Sequence, residues 1–287
     1  MRSEIPGVLI HETPAGAEAP VVFDSPHSGL GMPPEWRCLP GPEVMKGSGA
    51  DNFIGDLFRE TPQQGGTFVE ALFHRAFVDA NRDERDIDTA MLDGEWTGPL
   101  QPSERSRAGR GVVWRTSTPD IQLYDRRLGV AEVQERLRRY WQPYHEAVGG
   151  ALDGLRARHG VVFLLDCHAN RSRATKGAPE PPGTLRPEIE LGTLHETTSG
   201  AAFVALLRDT LTRMGLQVVT DGHHAGEHIV RRYGRPAEGR HAVMMEIRKN
   251  LYMDEETLQP AAHWAEFHAR MRQLSQAVCD FARAEAG

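Results

Sequence analysis

Residues 161–166, VVFLLD, are apolar almost throughout and follow a glycine that closes a long helical pattern. A strand that is hydrophobic on both faces has to be covered on both, as happens inside a largely parallel sheet flanked by helices. Two further runs repeat the theme: VVFD (21–24), which stops at Ser25-Pro26, and HAVMMEI (241–247). From about Pro119 to His159, residues Val133, Leu137, Tyr140, Tyr144, Val148, Leu152 and Leu155 recur three or four apart, the stripe of a helix face. Thr118-Pro119 supplies its start and Gly160 its stop, and Pro143 and Gly149-Gly150 are points where it kinks or divides. Phe53, Ile54, Leu57 and Phe58 mark a shorter helix with Asp51 in its first turn. Residues 67–80 read as two strands or one bent strand, 199–214 as a helix and 217–220 as a strand, while 221–240 is loop and 255–285 a helix interrupted near Pro260. Strands alternating with helices predict one α/β domain over residues 1–287, with a mostly parallel or mixed central sheet flanked by helices.

Bulk properties narrow the function. With no run near the ~18 apolar residues of a membrane span, no membrane partner is expected. The first twenty residues carry acids and prolines where an export signal has its apolar stretch, so the expected location is cytoplasmic. A net charge of −7 argues against nucleic acid as a partner, because such binding rests on basic groups meeting phosphates. Cys38, Cys167 and Cys279 lie far apart with no C-x-x-C pairing, against both a disulfide framework and a thiolate zinc site. The 33 basic residues are arginine except at Lys46, Lys176 and Lys249. Arginine grips carboxylates through a bidentate fork, which suits a small anionic substrate.

In open α/β sheets the ligand crevice lies outside the carboxyl ends of the strands. Three polar residues converge on that address: His27 after VVFDSP, His168 after VVFLLDC, and Glu246 near the end of HAVMMEI. Two imidazoles and one acid make a catalytic zinc site with a position left open. His223, His224 and His228 form a rival cluster, but Gly222 and Gly226 argue against the helix that would align His224 with His228.

Several blocks carry a resemblance: S-P-H-S-G (25–29), Asp51-x-x-Ile-x-x-Leu-Phe, H-R-A-F-V-D-A-N-R (74–82), Y-W-Q-P-Y-H (140–145), L-L-D-C-H-A-N-R-S (164–172), H-I-V-R-R-Y-G-R-P (228–236) and A-V-M-M-E-I-R-K-N-L-Y-M-D-E (242–255). In this order, over about residues 20–256, they resemble the N-formylglutamate amidohydrolase family, itself similar in fold to zinc carboxypeptidases. The resemblance implies a zinc ion, or another divalent metal, on His27, Asp51 and His168. Carboxypeptidases take their second ligand three residues after the first, and Leu30 stands there, so Asp51 is the matching acid. It implies Glu246 as general base, Asn81-Arg82 as a carboxylate clamp, and Arg75, Arg231 or Arg115 as a second one. Asp24 and Asp166 are expected to orient the ligand histidines, Asp79 to position Arg75 or Arg82, and His228 to line the pocket. The implied reaction is hydrolysis of N-formyl-L-glutamate to formate and L-glutamate, within histidine degradation. Alternatives are another N-acyl amino acid or small peptide at the same zinc site, and a non-catalytic binding protein that keeps the fold.

Overall fold

The apolar runs form the middle of an eight-stranded mixed sheet in the computed structural model, which describes residues 1–117, 121–175, 178 and 180–287. Its strands are β1 (Arg2–Ile5), β2 (Leu9–Glu12), β3 (Val21–Ser25), β4 (Thr67–Ala71), β5 (Val162–Asn170), β6 (Ile189–Gly192), β7 (Val218–Thr220) and β8 (Arg240–Arg248). They lie in the order β1-β2-β4-β3-β5-β8-β6-β7. The central β4, β3, β5 and β8 are mutually parallel, and antiparallel β2 and β6 flank them. Alternate residues of these strands enter two separate cores, as the two-residue period of a strand requires. Val22, Leu164 and Met244 pack under the helix Gln142–His159, through its buried Tyr144, Val148, Leu152 and Leu155. Phe23, Phe163, Leu165, Val243 and Met245 face the helices Ala201–Arg213 and Trp264–Glu285.

Local structure departs from the sequence pattern where loops or prolines intervene. Strand β5 runs past Asp166 to Asn170, so His168 is the third residue from its end and not beyond it. The long helical pattern begins at Val130, after an extended Gly129, and its expected start at Thr118-Pro119 lies outside the described residues. Pro143 lies inside an unbroken helical run from Val130 to His159, directly after a π-helical turn, Leu137–Trp141, whose wider winding accommodates a ring without an N–H. Gly149-Gly150 does not divide the helix; Gly149 gives room to the Tyr233 ring, which a Cβ would touch at 3.4 Å. In 67–80 only β4 is strand, and Asp51 precedes the helix Ile54–Phe58. The loop 221–240 contains the short helix His228–Tyr233, and the last helix starts only at Trp264. Among the described residues, no helix is long and apolar enough to cross a membrane.

Two backbone contacts seat the segment after β3. A Cβ on Gly29 would overlap the main chain of Leu72 and Phe73, and one on Gly31 the Leu72 carbonyl. Gly31 N–H donates to Leu72 O at 2.9 Å, and His74 N–H to Gly31 O at 2.9 Å. His74 is fully buried in a defined neutral form: Ala76 N–H donates to its Nδ1 at 3.0 Å, leaving Nε2–H for Met45 O at 3.0 Å. Burial pushes its pKa down to about 4. The unfolded chain therefore binds a proton first as pH falls, so stability is complete above ~6.5 and declines towards pH 4 by about 3 kcal/mol. Denaturant midpoints measured from pH 7 to 4 should show this decline, and His74→Gln should shrink it; an unchanged slope would assign the decline to other groups.

Candidate metal centre and its cleft

His27, Asp51 and His168 meet at the carboxyl ends of β3 and β5, all three buried. His27 follows β3, and Asp51 reaches it because its N–H donates to His27 O at 3.0 Å. Phe53, in the left-handed region at φ 66°, then turns the chain into the next helix. The His27 and His168 Nδ1 atoms are 3.0 Å apart, and Asp51 Oδ2 lies 3.5 Å from the first and 3.1 Å from the second.

The outward nitrogens are held from behind. His27 Nε2 lies 2.7 Å from Asp79 Oδ1, and His168 Nε2 lies 2.7 Å from Asp166 Oδ1. Asn81 takes Ile229 N–H on its Oδ1 at 2.8 Å, which turns its amide nitrogen to His168 Nε2 at 2.9 Å. With the His27 Nε2 proton held by Asp79 and His168 Nε2 flanked by Asp166 and the Asn81 amide, the Nδ1 atoms of both imidazoles and a carboxylate oxygen of Asp51 crowd together at one point. Such an arrangement repels unless a cation lies among them, and these donor types suit zinc. The electrostatics agree. Burial alone lowers the pKa of His168, but Asp166, Asp51 and Glu246 outweigh it and raise it well above the histidine range. Burial works to raise Asp51, yet His168 and His27 hold it far below the carboxylate range. The surplus of negative charge stabilises a cation at this point.

Behind His27, Asp79 is shared. Its Oδ2 accepts from Arg75 Nε at 3.1 Å, Arg75 Nη2 at 2.8 Å and Trp114 Nε1 at 3.2 Å. Burial tends to raise Asp79, and Arg75 and His27 instead keep it well below its usual value. Asp24, by contrast, touches neither ligand histidine. Its Oδ2 accepts from Tyr144 at 2.8 Å, and burial and the facing Asp166 push its pKa well up. The carboxylate that orients His27 is therefore Asp79 and not Asp24, because the Asp24 side chain turns into the core beneath the long helix.

Glu246 stands opposite His168 across the parallel pair β5·β8 and opposite Glu190 across β6·β8. Its Oε2 is buried without a hydrogen-bond partner among the described residues. Arg248 binds Asn250 and Glu188 instead. A cleft of about 260 Å³ opens over these groups, lined among others by His27, Asp51, His168, Asn81, Arg82, Arg75 and Glu246. Arg82 is buried in it, with Nη1 3.2 Å from Glu227 Oε2; Arg105 Nη2 reaches Glu227 Oε1 at 3.0 Å.

Two expected arginines are elsewhere. Arg231 is exposed on the helix His228–Tyr233, and Arg115 pairs with Asp88 at 2.9 Å beside a separate surface hollow. His228 does not line the cleft; it packs against Trp141 and His145. His224 does line it, with Nδ1 2.8 Å from Glu190 Oε2. Sequence reasoning also passed over Arg105, Arg110, Arg171, Arg186, Glu227 and Lys249 on the cleft wall. Arg171 and Lys249 each lie three residues after His168 and Glu246, positions that the β5·β8 register pairs, and that pairing is not visible in the sequence.

A family model described as N-formylglutamate amidohydrolase matches residues 19–253. An N-formylglutamate deformylase of Pseudomonas aeruginosa is 28% identical over 92% of this chain and 94% of its own. One of Pseudomonas putida is 29% identical over 82% of each chain. The crystal structure of N-formylglutamate amidohydrolase from Ralstonia eutropha JMP134 superposes with a TM-score of 0.92 at 33% identity, covering 97% of this chain and 99% of that one.

Proposed function

Because the chain belongs to the N-formylglutamate amidohydrolase family, and so is a hydrolase acting on amide bonds, we propose that it cleaves N-formyl-L-glutamate to formate and L-glutamate at a zinc site on His27, Asp51 and His168. The observation that carries the reading is the convergence of three donor atoms, all within 4.8 Å of one another, beside a buried Glu246 oxygen without a partner among the described residues.

A zinc ion held there supplies Lewis acidity to the amide carbonyl. Glu246 accepts a proton from the attacking water and returns it to the leaving nitrogen, so that glutamate departs as a neutral amine. Arg82 holds the α-carboxylate next to the histidines, and the substrate's approach exchanges Glu227 for that carboxylate; Asn81, whose side-chain amide is taken by Ile229, His168 and Asp166, positions Arg82 by accepting from its Nη1 on the backbone oxygen at 2.9 Å. Arg75 serves through Asp79: both of its contacts to that acid keep the His27 ring at one angle.

Hydrolysis of formylglutamate, acetylglutamate and a short peptide by zinc-loaded protein tests the substrate. Turnover should be fastest on formylglutamate, vanish on chelation and return with zinc. Turnover only on another compound would replace the substrate, and binding without any turnover would leave a ligand-binding protein.

A further inference from the structure

The family reading asks for two carboxylate anchors, and the arginines expected for the second are engaged or outside the cleft. Arg75 spends its fork on Asp79, and Arg115 and Arg231 lie elsewhere. Two other cations share a different wall of the cleft, formed by the segment that leads into Asp51. Lys249 Nζ donates to Ala50 O, and Arg171 Nη2 donates to Gly47 O at 3.0 Å.

We infer that Lys249 and Arg171 form a second carboxylate subsite, which takes the side-chain carboxylate of an acidic N-acyl amino acid. The inference rests on the proposed function for the identity of the substrate.

Topology brings the pair together. Strands β5 and β8 are parallel neighbours in register through Asn170 and Arg248, and Arg171 and Lys249 are the next residues on each. Neither cation forms an ion pair with a carboxylate among the described residues; each holds a backbone carbonyl. An ammonium has three N–H groups and a guanidinium five, so most of their donors are left for the cleft. Of the acids whose charge acts on Lys249, Glu255 binds the Ser172 N–H and hydroxyl and Asp51 faces the histidines, while Glu246 lines the same cleft without an ion pair to Lys249 among the described residues. Burial lowers the Lys249 pKa against the opposing charge of Asp51, and Arg171 is near enough to add to the lowering, with Glu255 and Glu246 opposing it. With Lys249 half-buried and Arg171 exposed beside it, an anion that bridges the two relieves their repulsion. The residue type is informative too. In a chain that uses arginine almost throughout, this position has a lysine, whose compact charge reaches one carboxylate oxygen while the guanidinium takes the other.

The test compares N-formylglutamate with N-formylglutamine, which lacks only the distal charge, in wild type, Lys249→Met and the more exposed Arg171→Gln. Wild type should favour formylglutamate. Each variant should lose roughly 10–100-fold in kcat/KM on formylglutamate, mainly through KM, and change by less than about twofold on formylglutamine. Equal losses on both compounds, or a loss confined to kcat, would overturn the subsite. Calorimetric binding of L-glutamate against L-glutamine to the zinc-loaded proteins reads the same selectivity without turnover. Should wild type fail to hydrolyse formylglutamate yet prefer glutamate in a Lys249-dependent way, the proposed reaction falls and the subsite stands. No preference for glutamate in wild type removes the subsite.

Discussion

Glu246→Gln lowers kcat for formylglutamate by about 10²–10⁴-fold, the usual contribution of a positioned general base, while zinc content and the folded state stay as they were. The substitution keeps size and shape on β8 and removes only the ability to take a proton. Glu246 is proposed for that task because the sheet sets it opposite His168, with one oxygen that has no hydrogen-bond partner among the described residues. An unpaired buried acid on an apolar strand is costly in the folded protein, so stability against denaturant should stay level or rise slightly. The decisive quantity is kcat at saturating substrate in protein of measured zinc content. A loss under tenfold would mean that another group carries the proton, and His224, held by Glu190 on the same cleft, would be the first to examine.

Asp51→Ala has the second large effect, and it acts on the metal. It removes the one carboxylate whose oxygen meets both ligand imidazoles, at 3.1 and 3.5 Å. Zinc affinity should fall by more than the ~10–100-fold that loss of a partner behind a ligand costs. A graded series makes the assignment strict. Asp79→Asn, which weakens the support behind His27 and the hold on Arg75 and Trp114 but removes no ligand atom, belongs inside that range. Asp24→Asn should leave zinc stoichiometric, since Asp24 bonds Tyr144 and neither histidine. Zinc measured by competition with a chromophoric chelator orders the three. Full retention in Asp51→Ala would take Asp51 out of the coordination set, and equal losses in all three would point to general loosening of the core.

The course of β3, β5 and β8 was readable from hydrophobicity, because a central parallel strand has to be apolar on both faces and His27, His168 and Glu246 interrupt or follow such runs; the end of β5 was not, since the strand carries on through polar residues to Asn170. Asp51 was not readable that way. Its approach depends on a main-chain bond to His27 and on a left-handed Phe53, neither of which leaves a periodic trace. Asp24 and Asp79 show a similar limit. Both are acids near the histidines in sequence or space, and only the direction of the side chain separates the one under Tyr144 from the one behind His27. Arg231 was attractive because it stands in the block H-I-V-R-R-Y-G-R-P, but a block does not say which side of a short helix meets solvent, and Arg115, in a loop, pairs with Asp88. Lys249 and Arg171 were concealed for the opposite reason: their meeting is a matter of strand register, which no local window contains.

Gly29 illustrates how far the site depends on main chain. Its hydrogen lies where any side chain would collide with the Leu72–Phe73 backbone, so the path of the segment carrying His27 is set by two chains touching. In a saturation mutagenesis screen, Gly29 would then score as intolerant as a metal ligand while contributing no chemistry. Genetic suppressors separate the two cases: compensating changes around residues 71–73 can restore room for a side chain at 29, whereas none can replace an imidazole at 27.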